Sequence, residues 1–74
     1  MNVTEKIKAI LNLHKLKVTD LADFFGTTRQ GMSNKLSRGY FTATDLIKIA
    51  EFVDAELFYE LKNGHRIYLR KKTD

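Results

Sequence analysis

Ile7, Ile10, Leu11 and His14 fall at i, i+3, i+4 and i+7, while Lys6, Lys8, Asn12 and Lys15 take the other side. That is one face of a 3.6-residue period, so a first helix is predicted, capped by Asn2 or Thr4 and with Glu5 in its first turn, where a carboxylate suits the helix dipole. His14 reads as a partly buried, hydrogen-bonded member of this stripe rather than a ligand, because no second His, Cys or carboxylate cluster accompanies it. Leu16-Lys17-Val18 then leads into a second helix ending at Phe25, with Leu21, Ala22 and Phe25 turned inward. A small residue such as Ala22 is required where two short helices cross closely at a steep angle. Gly26 stops that helix in a conformation suited to a residue without a Cβ.

Thr28 caps a third helix running to Arg38-Gly39, whose inward positions are Met32 and Leu36. Arg29, Gln30, Ser33, Asn34 and Ser37 line its opposite face at spacings of three and four, with no acidic residue among them. Phe41-Thr42-Ala43-Thr44-Asp45-Leu46 predicts a fourth helix start: Thr42 as N-cap, Asp45 reaching back, and Phe41 stapled onto Leu46. Leu46, Ile49, Ala50 and Val53 form its inner stripe, and Asp45, Glu51 and Asp54 make the exposed side acidic.

Residues 55–70 admit two patterns. As a helix, Leu57, Phe58 and Leu61 make a short stripe ending at Gly64; as a hairpin, Lys62-Asn63-Gly64 is a type I turn with Gly64 in a bulge. Pairing chemistry favours the hairpin. With Leu61 opposite His65, Tyr59 meets Ile67 and Leu57 meets Leu69 on one face, while Glu60 meets Arg66, Phe58 meets Tyr68 and Glu56 meets Arg70 on the other. Phe58 and Tyr68 then either cover helix 1 or 4, or remain exposed beside an open edge and pair between protomers. The expected organisation is a mainly α, four-helix unit over 1–54, a β-hairpin over 55–70 packed on it, and a solvated tail over 71–74.

Seventy-four residues leave little room for both a core and an enclosed catalytic pocket, so a surface function is favoured. The chain carries 13 Lys and Arg against 9 Asp and Glu, and the charge is sided. Residues 1–40 hold seven basic and three acidic side chains, residues 41–64 two and five, and residues 65–74 four and one. The basic half is the half with the polar third helix. There is no Cys, hence no disulfide, thiolate metal site or Cys nucleophile, and a reducing, cytoplasmic compartment is expected. No apolar run approaches a membrane span, and the start lacks the apolar core of a secretory signal. Paired carboxylates, metal-spaced His and a phosphate-cradling Gly loop are all missing, so neither an enzyme nor a cofactor or small-molecule ligand is expected.

The third helix has chemistry suited to double-stranded DNA. Arg29 can pair bidentately with guanine O6 and N7, and Gln30 and Asn34 with adenine N6 and N7; Ser33 completes the base-reading set. Thr28, Lys35, Arg38 and Tyr40, together with Lys17 before the second helix, are candidate contacts to the DNA backbone, which position a protein without selecting sequence.

Leu21-Ala22-x-x-Phe25-Gly26, Arg29-Gln30-x-Met32-Ser33-Asn34 and Leu46-Ile47-x-Ile49-Ala50 together resemble the helix-turn-helix of the lambda-repressor-like, XRE-type bacterial and phage regulators, over residues 5–54. The resemblance implies four or five helices, base contacts from the third, dimeric binding to two half-sites and usually repression. By motif position Arg29, Gln30 and Asn34 match the base readers, and Thr28, Lys35 and Arg38 the backbone contacts. The chain departs from the pattern in three places. Lys17 and Val18 stand where many relatives have a capping Ser or Thr followed by a phosphate-touching Gln. The Gly26 to Gly39 span is longer, as in a phage-like subgroup, and a hairpin replaces the fifth helix. The expected function is a sequence-specific regulator acting as a homodimer on an operator. The alternative is a protein-interaction module of the same fold, antitoxin-like or an anti-repressor partner, that uses its acidic side.

Overall fold

The computed structural model describes residues 2–72, and in it four helices pack together and are followed by an antiparallel hairpin. The helices are α1 (Val3–Leu13), α2 (Val18–Phe25), α3 (Arg29–Arg38) and α4 (Ala43–Phe52); the strands are β1 (Leu57–Glu60) and β2 (Arg66–Arg70). This is the mainly α, helix-turn-helix-plus-hairpin fold that the periodicity predicts.

Each helix start has a local chemical cause. Asn2 Oδ1 accepts from the Glu5 amide at 2.9 Å, which settles the cap of α1 in favour of Asn2. The Thr4 hydroxyl instead donates to the Leu36 carbonyl at 2.7 Å and ties the start of α1 to the end of α3. Thr28 Oγ1 accepts from the Gly31 amide at 3.0 Å. At α4 the capping box is complete: the Thr42 amide donates to Asp45 Oδ2 at 3.0 Å and the Asp45 amide to Thr42 Oγ1 at 3.1 Å. Each such cap is worth about 1 kcal/mol.

Three helices end alike, with a left-handed residue followed by a 6→1 hydrogen bond that satisfies a terminal carbonyl. Gly26 fills the left-handed position after α2, with the Thr27 amide on Ala22 O. After α1 and α4 the same position falls to Lys15 (φ 55°) and Asp54 (φ 52°), with Leu16 N on Leu11 O and Ala55 N on Ala50 O. A side chain in this conformation costs about 1–2 kcal/mol relative to Gly.

Ile7, Leu11, Leu21, Ala22, Met32, Leu36 and Ile49 form one buried cluster to which every helix contributes, edged by Leu16, Val18, Phe25, Phe41, Leu46 and Phe52. Leu21 and Met32, wholly enclosed between α2 and α3, each gain roughly 2–3 kcal/mol from burial. Ile10 is half-buried and His14 is exposed, contrary to the expected stripe. The helix ends at Leu13, and the turn at His14-Lys15 carries the imidazole away from the core.

The hairpin pairs Phe58 with Tyr68, Tyr59 with Ile67 and Glu60 with Arg66, closed by Leu61 N on His65 O at 2.8 Å, with Gly64 at φ 87°. The expected register therefore holds from the turn outward to Phe58. Beyond it a bulge sets Leu57 opposite Arg70, not Leu69, and Glu56 no longer faces Arg70. The cause lies at the end of α4: Arg70 reaches back to Ala55 O at 2.8 Å and Asp54 Oδ1 at 3.4 Å, drawing the last residue of β2 one place inward. The expected loose tail is tied as far as Lys72, whose amide donates to Glu56 Oε2 at 3.2 Å and whose Nζ lies 3.5 Å from Asp54. Thr73 and Asp74 lie outside the described residues.

Candidate nucleic-acid interface

The turn Gly26–Thr28 sets α3 across α2, and burial of Met32 and Leu36 fixes which side of α3 is left outside. Arg29, Gln30, Asn34, Ser37 and Arg38 are exposed, and Ser33 is half-buried. No acidic side chain interrupts α3, and its last turn holds Lys35 and Arg38. Arg29 and Arg38 form no ion pair among the described residues, so both guanidinium groups remain available.

Gln30 and Asn34, one turn apart, are joined by a hydrogen bond from Gln30 Nε2 to Asn34 Oδ1 at 3.0 Å. That bond leaves Gln30 with a free carbonyl oxygen and one N–H, and Asn34 with its NH₂ group. Thr28 caps by accepting, which leaves its hydroxyl hydrogen free to donate to a phosphate oxygen. Lys35, Arg38 and Tyr40 line one open cleft with Thr27, Asn34, Phe25 and Met32, so three of the expected backbone contacts are brought together beside the polar face of α3. Tyr40 projects furthest, 80% exposed. Thr27 is a polar neighbour of this set that the sequence pattern did not single out.

Two expected contacts have altered settings. Lys35 Nζ is paired with Asp45 Oδ2 at 2.9 Å, linking the third helix to the cap of the fourth. Burial raises the Asp45 carboxyl pKa, but the hydrogen bonds from Thr42 and the charge of Lys35 outweigh it and hold the group below its ordinary value. An ammonium has three donors, so two remain on Lys35 for a second anion. Lys17 is the N-cap of α2 and lies apart from the cleft, beside Lys8 and Asn12 in a depression between α1 and α2. Its amide donates to Asp20 Oδ2 at 2.8 Å, so a carboxylate of the chain itself covers that helix end.

For Phe58 and Tyr68 two settings were expected, cover for a helix or an exposed pair beside the sheet edge. Phe58 and Tyr68 are half-buried, their rings 5.2 Å apart, with Arg66 over Phe58 and Lys71 over Tyr68. The exposed apolar side chains of the hairpin are instead Tyr59, Leu61, Ile67 and Leu69.

Among the described residues no group of three or more His, Cys, Asp or Glu is placed to hold a metal ion, no polar side chain is buried, and no helix is long and apolar enough to cross a membrane. The geometry is compatible with a DNA-binding regulatory module. No protein-family model, curated protein or solved structure matches the chain significantly.

Proposed function

We propose that this chain is a sequence-specific DNA-binding transcriptional regulator, of the lambda-repressor-like, XRE type, that represses by occupying an operator as a dimer. The observation that carries this reading is the helix-turn-helix itself: α3 is held against α2 by Leu21, Met32 and Leu36 and turns outward a polar face free of acid. In the major groove Arg29, Gln30, Ser33 and Asn34 read base edges, while Thr28, Lys35, Arg38 and Tyr40 hold the flanking phosphates. Lys17 acts through its charge from the side.

Asp45 is neutralised by Lys35, and Asp54 by Arg70 and Lys72, which leaves Glu51 as the unpaired carboxylate of the acidic side among the described residues, weakens that side as a protein-docking surface and favours the DNA reading over its rival. Selection from random duplex DNA, followed by affinities for winning and scrambled sites at several salt concentrations, tests the proposal. A specificity ratio of at least about 1,000 is expected. If Arg29→Ala, Gln30→Ala and Asn34→Ala combined leave that ratio unchanged, base reading by α3 is excluded.

A further inference from the structure

The hairpin is amphipathic in an unusual direction. Its side chains alternate between faces, so Phe58 and Tyr68 share one face with the Glu60–Arg66 pair, and Tyr59, Leu61, Ile67 and Leu69 share the other. It is this second face that is open: Tyr59 is 67% exposed, Ile67 53%, Leu61 44% and Leu69 43%. None of the four is charged, in a chain that is 30% charged. Hairpin residues are also missing from the buried cluster and from the apolar side chains at its edge.

We propose that a second copy of this chain covers the Tyr59-Leu61-Ile67-Leu69 face, the two hairpins packing face to face about a two-fold axis. Three observations select that occupant. The centre of the face is apolar and uncharged, with His65 beside Leu61 at the turn and Arg70 opposite Leu57 at the far end, so its partner must be apolar there as well, and the same face of a second copy meets that condition. Its area is also of the right order. Side chains of this kind show about 200 Å² when fully exposed, so the four present on the order of 400 Å² per copy. Two copies in full contact remove about 800 Å² from water, the size of a weak, concentration-dependent interface.

The third observation is structural. A two-stranded hairpin is marginal alone, and in this one both strands lie against α4. A second sheet stacked about 10 Å away supplies the missing layer. Tyr59 and Ile67, directly paired across the strands, occupy the centre, where an aromatic anchor contributes most. The proposal deepens the regulator reading, since one recognition helix spans only a few base pairs and a dimer places two about 34 Å apart. Phe58 and Tyr68 then support the hairpin from behind rather than forming the interface.

Sedimentation equilibrium without DNA tests the surface independently of base reading. Wild type is expected to dimerise. Ile67→Asp sets two carboxylates against each other at the centre and raises the dimer dissociation constant at least about 100-fold, with an unchanged far-ultraviolet dichroism spectrum. Ile67→Cys provides a second readout, because the chain has no other thiol. A short bis-maleimide should join two copies through that position, and Leu13→Cys, on an exposed residue of α1, should not be joined. A wild type that stays monomeric at all concentrations, or a dimer indifferent to Ile67→Asp, overturns the proposal. A dimer that is broken by Ile67→Asp yet selects no DNA sequence leaves this interface standing and removes the regulator reading instead.

Discussion

Asp45 joins two jobs in one carboxylate, and its substitution separates them. Oδ2 accepts the Thr42 amide at 3.0 Å, closing the box at the start of α4, and the same oxygen meets Lys35 Nζ at 2.9 Å. Asp45→Asn keeps an acceptor for the amide but removes the charge. Asp45→Ala removes both. The ion pair is discounted for solvent, since the Lys35 side chain is 34% exposed and that of Asp45 14%, so its loss should cost about 0.5–1 kcal/mol. Losing the cap interaction as well brings Asp45→Ala to about 1–2 kcal/mol. For a domain of this size each kcal/mol lowers Tm by about 4–8 °C.

The same carboxylate predicts a pH dependence with a definite sign. The folded pKa of Asp45 is depressed, so the unfolded chain binds the proton more readily. Its contribution is fully present above the ordinary carboxylate value of about 4 and disappears as pH falls through the lower folded value. Thermal unfolding followed by circular dichroism from pH 7 to pH 2.5 is the assay. The difference between wild type and Asp45→Asn should be constant near neutrality and shrink toward zero in acid. A difference that does not shrink as pH falls below about 4, or is missing at pH 7, would show that the carboxylate does not hold α3 to α4.

Three further outcomes are expected. Lys15→Gly should stabilise the domain by up to about 1 kcal/mol, because the left-handed backbone there suits Gly, the gain being partly offset by a freer unfolded chain; urea melts read it. Leu21→Ala, at a side chain with no exposure, should cost about 2–5 kcal/mol, enough to leave much of so small a domain unfolded in a calorimetric scan. Arg38→Ala should weaken binding to selected and scrambled DNA by the same factor and lower the salt slope by about one, as measured by fluorescence anisotropy titrations.

Local chemistry accounts for the parts of this fold that were legible in the sequence. Asn2, Thr28 and Thr42 act within three residues of themselves, and the inward stripes of α2, α3 and α4 repeat within a turn, so no distant partner had to be known. The turn at Lys62–Gly64 fixed the register near it for the same reason. What was missed depends on where elements meet. Lys35 finds Asp45 only after α3 and α4 pack, Arg70 shifts the register only because the end of α4 lies beside β2, and the covered face of the hairpin is set by that contact rather than by alternation. The stop after α1 is hidden for another reason: a Lys in the left-handed position carries none of the signal a Gly gives, so the apolar spacing runs on to His14 in the sequence although the helix ends at Leu13. At the interface, Arg29, Gln30 and Asn34 were legible as a face, but the hydrogen bond joining Gln30 to Asn34 was not.

Among the described residues all nine buried apolar side chains lie at or before Val53, so the hairpin is attached to a helical body with a core of its own. Selection can therefore act on the two separately. Under the two proposals above, exchanging the hairpin for one with a different outer face would change which copies associate while leaving α3 as it is, and altering Arg29 or Gln30 would change the DNA site selected without touching the hairpin.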